Sequence, residues 1–185
     1  MAESGSRKWI IERLKSSYDR SSFDSGVPLL DDFLKARATQ FDKRDLGRTF
    51  VAVSPTCHLV LGYYTLSSSA VSFATIPTAE SRRLPSQIPI PVLRLGRLAV
   101  NKSCQGQGLG AYLLIDALRR GLRITGDVAM YAVEVDAIDA PARQFYAHYG
   151  FVALLDDQQH LYIPMKKVAK LFTEMPASSK SADDE

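Results

Sequence analysis

Cysteine is nearly absent: Cys57 and Cys104 are the only two in 185 residues. Two thiols cannot form the dense cross-linked framework of a small secreted domain, and both read as free, buried or half-buried thiols in a reducing compartment. Histidine is equally scarce. His58, His148 and His160 are scattered, and no cysteine or carboxylate is read beside them at ligand spacing, so no metal site is expected. No apolar run approaches the ~18 residues of a membrane span. Lys8 and Arg13 lie among polar residues without an apolar signal region, so a cytoplasmic location is expected. Neither sign of charge dominates, with a formal net charge of +3. No internal repeat is visible.

What is present suits one folded body. The chain is 46% hydrophobic, enough for a substantial core in a single domain expected over residues 1–172. Residues 173–185 are polar and acidic and read as a disordered tail. That tail carries one of the 23 basic and four of the 20 acidic residues, which leaves the body near +6. A body of that charge favours a polyanionic partner, although a solvated basic surface is the commoner source of modest positive charge.

Hydrophobic patterning predicts a mixed α/β order. Strands are expected at 9–14, 49–54, 59–67, 71–76, 92–100, 129–136 and 160–165. Helices are expected at 28–38, 41–45, 108–123 and 141–149, with a proline-rich loop over 78–91. Leu109, Leu113, Ala117 and Leu118 form one apolar helix face. Asp139 is a suitable N-cap for the helix that follows it, with Pro141 tolerated in the first turn and Gly150 as a C-terminal stop.

The densest information lies in Leu95-Gly96-Arg97-Leu98-Ala99-Val100, followed by Asn101-Lys102-Ser103-Cys104 and then Gln105-Gly106-Gln107-Gly108-Leu109-Gly110. An apolar strand runs into a glycine-rich turn and then a helix N-terminus. Glycines let backbone N–H groups approach a phosphate, and the positive end of the helix dipole faces it. A Walker loop needs Lys-Ser or Lys-Thr after its last glycine, whereas Ala111-Tyr112 follow here. A dinucleotide fingerprint needs a different glycine spacing.

The hexamer Gln105–Gly110 resembles the Q/R-x-x-G-x-G/A loop of the GNAT N-acetyltransferases. Ala142-Arg143-Gln144-Phe145-Tyr146-Ala147-His148-Tyr149-Gly150-Phe151 resembles the A-x-x-F-Y-x-x-x-G-F motif of the same superfamily, in the same order. Phe23-Asp24-Ser25-Gly26 with Leu30-Asp31-Asp32-Phe33-Leu34, Thr49–Val53, Leu61–Ser67 and Leu95–Val100 further resemble the GNAT toxins of bacterial type II toxin–antitoxin systems. The likeness covers roughly residues 8–172. It implies a single GNAT acyl-CoA N-acyltransferase fold, with a central, mostly antiparallel mixed sheet flanked by helices. It also implies acetyl-CoA as cosubstrate, the α-amine of the amino acid on charged tRNA as acceptor, and a block of translation. A ribbon-helix-helix antitoxin and a homodimer are implied as partners.

The same resemblance assigns site residues. Leu98, Ala99 and Val100 would offer backbone groups to the pantetheine arm. Gln105, Gly106, Gln107, Gly108, Leu109 and Gly110 would take the pyrophosphate through main-chain N–H groups. Tyr146 would protonate the sulfur of coenzyme A, since a phenol of pKa about 10 stays protonated at pH 7 and can donate to a thiolate. Without the motif, Tyr146 reads more readily as a core aromatic beside Phe145 and Phe151, and Tyr149 is assigned to packing. Glu134 is the candidate base by position. Because an α-amine titrates near 7.7–8.0, no strong base is needed and Glu134 reads as structural or solvent-facing.

Arg37, Lys43, Arg44, Arg48, Arg82, Arg83 and Arg97 are candidates for contacts with tRNA phosphates. Strand alternation places Arg94 and Arg97 on opposite faces. A charge inside the apolar run at Arg97 demands a partner or a ligand. Two other functions stay open: acetylation of a small amine or of a protein or peptide amine, and a non-catalytic coenzyme A-binding module.

Overall fold

The computed structural model describes residues 9–174. Seven strands form one sheet in the order β1-β2-β3-β4-β5-β7-β6. They are β1 (Ile10–Arg13), β2 (Arg48–Val53), β3 (Val60–Val71), β4 (Ile90–Val100), β5 (Ala132–Asp136), β6 (Val152–Ala153) and β7 (His160–Pro164). Every neighbouring pair is antiparallel except β4 and β5. This is the mixed sheet that the residue pattern and the resemblance implied.

Alternation along β3 serves both faces of the sheet. Tyr63 enters a core with Phe23, Phe33, Leu34, Ala38, Val51, Val53 and Ala99. Its neighbour Tyr64 enters the opposite core with Leu95, Leu109, Leu113, Leu114, Leu118, Tyr146 and Phe151. The first core is roofed by α1 (Pro28–Asp32), a π-helical turn (Phe33–Arg37) and α2 (Ala38–Lys43). The second is roofed by α4 (Leu109–Ile124), α5 (Ala140–His148) and α6 (Met165–Glu174). A short α3 (Thr78–Ser81) precedes β4. Leu109, Leu113, Ala117 and Leu118 are all buried on α4, as expected. Asp139 caps α5, its Oδ1 accepting from the Ala142 N–H at 2.8 Å.

Several expectations are corrected. The helices predicted at 28–38 and 41–45 are one run from Pro28 to Lys43, interrupted only by the π turn. Its extra residue slips the apolar stripe, so that Phe33, Leu34 and Ala38 are buried together with Phe41 packed beside them. Residues 71–76 are not a separate strand: β3 continues to Val71 and Phe73–Thr75 is a 3-10 turn. The expected loop over 78–91 contains α3 and the first residues of β4. Strand β6 and helix α6 were not anticipated. Thr173 and Glu174, placed in the tail by composition, belong to α6, while the rest of that tail, 175–185, lies outside the described residues. Both cysteines are free, and Cys104 is buried, but Cys57 is exposed. No described helix is long and apolar enough to cross a membrane.

Candidate active site

The site begins where β4 parts from β5. Their parallel pairing is limited to Val92, Leu93 and Arg94 against Ala132, Val133 and Glu134. Beyond it, β4 keeps β3 along one edge, with Leu98 opposite Tyr64, Ala99 opposite Tyr63 and Val100 opposite Gly62. Its other edge is left open for a ligand backbone. A bulge marks the fork: Thr65 pairs Arg97 and Leu66 pairs Leu95, so Gly96 has no partner residue. Across the fork, Arg94 Nη1 donates to Glu134 Oε1 at 3.3 Å, and Arg94 also pairs with Asp136.

The bulge overturns one expectation. One inserted residue reverses strand parity, so Arg94 and Arg97 lie on the same face and line one cavity. The Arg97 guanidinium stands 3.7 Å from the Phe33 ring centroid and 5.5 Å from that of Phe41. Burial pushes its pKa down, and the charges of Arg37 and Arg94 push the same way. The partner that an in-strand arginine needs is therefore an aromatic face.

The open edge leads directly into the glycine loop. Gly106 (φ 72°) and Gly108 (φ 88°) occupy the left-handed region, and nothing lies within 4 Å of where a side chain would start at either. Gly108 is the N-cap of α4 and supplies no side-chain cap. The first N–H groups of a 16-residue helix therefore face open space. A pyrophosphate fits this cradle.

The loop is held from behind. Gln105 Nε2 donates to the Val100 carbonyl at 3.0 Å and to the Ser25 carbonyl at 2.9 Å. The Lys102 N–H donates to the Asp24 carbonyl, and Lys102 Nζ pairs with Asp24 Oδ2 at 2.9 Å. Ser25 in turn donates to the buried Asp31 through both N–H and hydroxyl. The Phe23–Gly26 segment is thus an anchor for the loop. The Gln105 side chain pins the loop, leaving only its main chain for a ligand.

Tyr146 on α5 adjoins this junction. A side-chain carbon added at Gly110 would lie 3.7 Å from Val100 Cγ2 and 3.8 Å from Phe145 Cζ, so β4, α4 and α5 converge there. Tyr146 packs against Phe145 and Phe151 at centroid distances of 5.2 and 5.5 Å. Burial alone pushes its hydroxyl well above the ordinary tyrosine range. The buried side-chain oxygens without a partner among the described residues are Thr49 Oγ1 and Tyr162 Oη, and the Tyr146 hydroxyl is not one of them.

Glu134 is 1% exposed, which removes its solvent-facing reading. Its second oxygen meets His160 Nε2 at 2.8 Å, and His160 Nδ1 meets Asp156 at 2.9 Å. Asp156, four residues before His160, is therefore a carboxylate partner that the sequence reading passed over. Burial pushes the His160 pKa down, but the hydrogen bonds to Asp156 and Glu134 outweigh it and the net shift is upward. A raised folded-state pKa stabilises the fold fully below the unfolded value, about 6.5, and that contribution fades as pH rises through the folded value. His160→Gln should therefore be most destabilising, relative to wild type, at about pH 5.5 to 6. The gap in urea midpoints should narrow by about pH 8. A gap that does not change with pH would remove the ion-pair account. Among the described residues, no group of three or more His, Cys, Asp or Glu side chains is placed to hold a metal ion.

The basic candidates do not form one patch. Arg37 is exposed and close enough to Arg97 to act on its charge. Arg48 is committed to Asp42 and Asp45. Lys43 and Arg44 are exposed at the end of α2. Arg82 and Arg83 are exposed after α3, beside Leu84, which packs on the cluster that closes the start of β4. The sequence reading missed Phe33, Phe41 and Thr49 as cavity walls, and Gly96 as the bulge. An isolated glycine in an apolar strand was the available signal for the bulge.

Residues 67–170 match the model of the acetyltransferase (GNAT) domain. A tRNA-acetylating toxin of Mycobacterium tuberculosis is 38% identical over 161 residues, covering 86% of this chain and 93% of the relative. The structure of AtaT complexed with acetyl-methionyl-tRNAfMet is similar with TM-score 0.83 and 31% identity, covering 89% of this chain and 99% of that one. A mutant AtaT toxin bound to the C-terminus of the antitoxin AtaR and acetyl-CoA is similar with TM-score 0.78 and 30% identity, covering 90% and 99%.

Proposed function

This chain belongs to the GNAT acetyltransferase family, and from that premise we propose that it acetylates the α-amine of the amino acid on charged tRNA, as the toxin of a toxin–antitoxin pair. The observation that carries the reading is the open edge of β4 running into an uncapped, glycine-lined α4 N-terminus, with Tyr146 alongside. The relative that acetylates tRNA and the neighbour holding an acetylated aminoacyl-tRNA support the choice of acceptor.

Bound acetyl-CoA supplies an acetyl group activated as a thioester. Leu98, Ala99 and Val100 offer main-chain groups along the open edge to its arm. In the Gln105–Gly110 loop the N–H groups after Gln105 take its pyrophosphate, the Gln105 N–H itself being turned to the Lys102 carbonyl. Tyr146 keeps a proton at its hydroxyl for the leaving sulfur. The acceptor amine needs no strong base, because an α-amine titrates near 7.7–8.0 and an ester on the adjacent carbon lowers that value. Glu134, with one oxygen on Arg94 and the other on His160, holds the fork together instead. Arg37, with Lys43, Arg44, Arg82 and Arg83, supplies phosphate contacts; Arg48 contributes less, being neutralised by two aspartates, and Arg97, stacked on Phe33, faces the acceptor end rather than a phosphate.

Acetylation of the α-amine blocks translation, which places the activity in the cytoplasm. An antitoxin of the ribbon-helix-helix type and a homodimeric assembly complete the reading. The folded unit extends through α6.

The test is transfer of radiolabelled acetyl from acetyl-CoA to total charged tRNA. Label is expected in the tRNA fraction and is expected to vanish when the tRNA is deacylated beforehand. Label absent from tRNA but present on polyamines or peptides would replace this acceptor with a small or peptide amine. No transfer to any amine, with coenzyme A still bound, would reduce the protein to a binding module.

A further inference from the structure

A cavity of about 200 Å³ lies between the π turn and the sheet, on the face of β4 that carries Arg97. Phe33, Phe41 and Leu66 give it apolar walls, and it reaches Gly96 at the fork where the open edge of β4 begins. Two of its polar residues are unusual. Arg97 makes no ion pair with a described carboxylate and spreads its guanidinium over Phe33. Thr49 is 1% exposed, and its hydroxyl is one of the two buried oxygens without a described partner. Arg94, also in the wall, is committed to Glu134 and Asp136.

An amino acid's α-amine and side chain leave the same carbon. An amine brought to the thioester at the fork where that edge begins therefore carries its side chain into whatever space adjoins the fork, and this cavity adjoins it at Gly96 and Arg97. We propose that the cavity receives the side chain of the acceptor amino acid, selecting for large uncharged side chains and against lysine and arginine. Its aromatic walls reward apolar bulk, and its volume leaves a glycyl or alanyl acceptor poorly held. The unpaired Arg97 guanidinium, already partly stripped of water, repels a second cation. This rests on charged tRNA being the acceptor.

The test uses one tRNA body charged in turn with glycine, leucine, phenylalanine and lysine, so that all RNA contacts are common. Wild type should acetylate the leucyl and phenylalanyl forms with kcat/KM at least about tenfold above the glycyl and lysyl forms, the scale at which an apolar pocket discriminates. Ser67→Leu, a half-buried position in the cavity wall, should shift the preference towards glycine. Arg97→Gln should raise lysyl relative to leucyl by about tenfold. Equal rates for all four amino acids, or ratios that neither variant moves, would overturn the side-chain assignment and leave acetyl transfer to tRNA standing. No label in any charged form would remove the underlying function, and the pocket assignment with it.

Discussion

Tyr146→Phe is expected to lower kcat for acetyl transfer by about 10²- to 10⁴-fold, the range for removal of a positioned proton donor, while leaving the KM for acetyl-CoA nearly unchanged. The change deletes one oxygen from a ring held by Phe145 and Phe151. Ring packing stays, and no described hydrogen bond is lost, so the urea midpoint should hardly move. An interaction made only as the sulfur departs affects kcat and not ground-state binding. A loss of less than about threefold would leave Tyr146 as a core aromatic and nothing more.

The pH profile supplies a second readout of the same group. Burial raises the Tyr146 pKa above the ordinary value near 10. The phenol is therefore protonated throughout the working range. Wild-type rates should rise with pH as the acceptor amine loses its proton, reach a plateau near pH 8 and show no alkaline fall before about pH 10. A fall that begins near pH 8 would point to a different acid.

What could be read from the residues, and what could not, divides on a physical line. The glycine loop, the α4 stripe and the Asp139 cap are local, with their residues adjacent or at helical spacing. The features of the site that failed to appear depend on a single extra residue or on distant partners. Strand alternation put Arg94 and Arg97 on opposite faces, and one unpaired residue at Gly96 put them on the same face. The π turn does the same to a helix, carrying Phe33, Leu34, Ala38 and Phe41 onto a common wall that a 3.6-residue period splits into two helices. The candidate side-chain cavity needs both slips at once, plus Thr49 from a third element, so no linear pattern announces it. Helix α6 was legible and passed over: Met165, Val168, Leu171 and Phe172 recur at helical spacing.

Gly108→Val is expected to weaken acetyl-CoA binding by at least about 100-fold, measured by titration calorimetry with coenzyme A. Two effects combine. The residue sits at φ 88°, where a β-branched side chain strains the backbone, at a cost of about 1–2 kcal/mol. That strain alone should lower the melting temperature by a few degrees. The larger effect is on the cradle. The space a side chain would enter is open in the protein as it stands, so bulk there collides with nothing until a phosphate group arrives. Losing two charge-assisted hydrogen bonds, each worth about 1.5–3 kcal/mol, accounts for a 100-fold loss or more. Gly126→Ala, in the turn after α4 and outside the left-handed region, serves as the comparison: its new carbon comes no closer than 3.6 Å to the Arg123 carbonyl oxygen. It should leave binding unchanged. Equal coenzyme A affinity in wild type and Gly108→Val would mean that the pyrophosphate is held elsewhere, and the uncapped N-terminus of α4 would lose its assigned role.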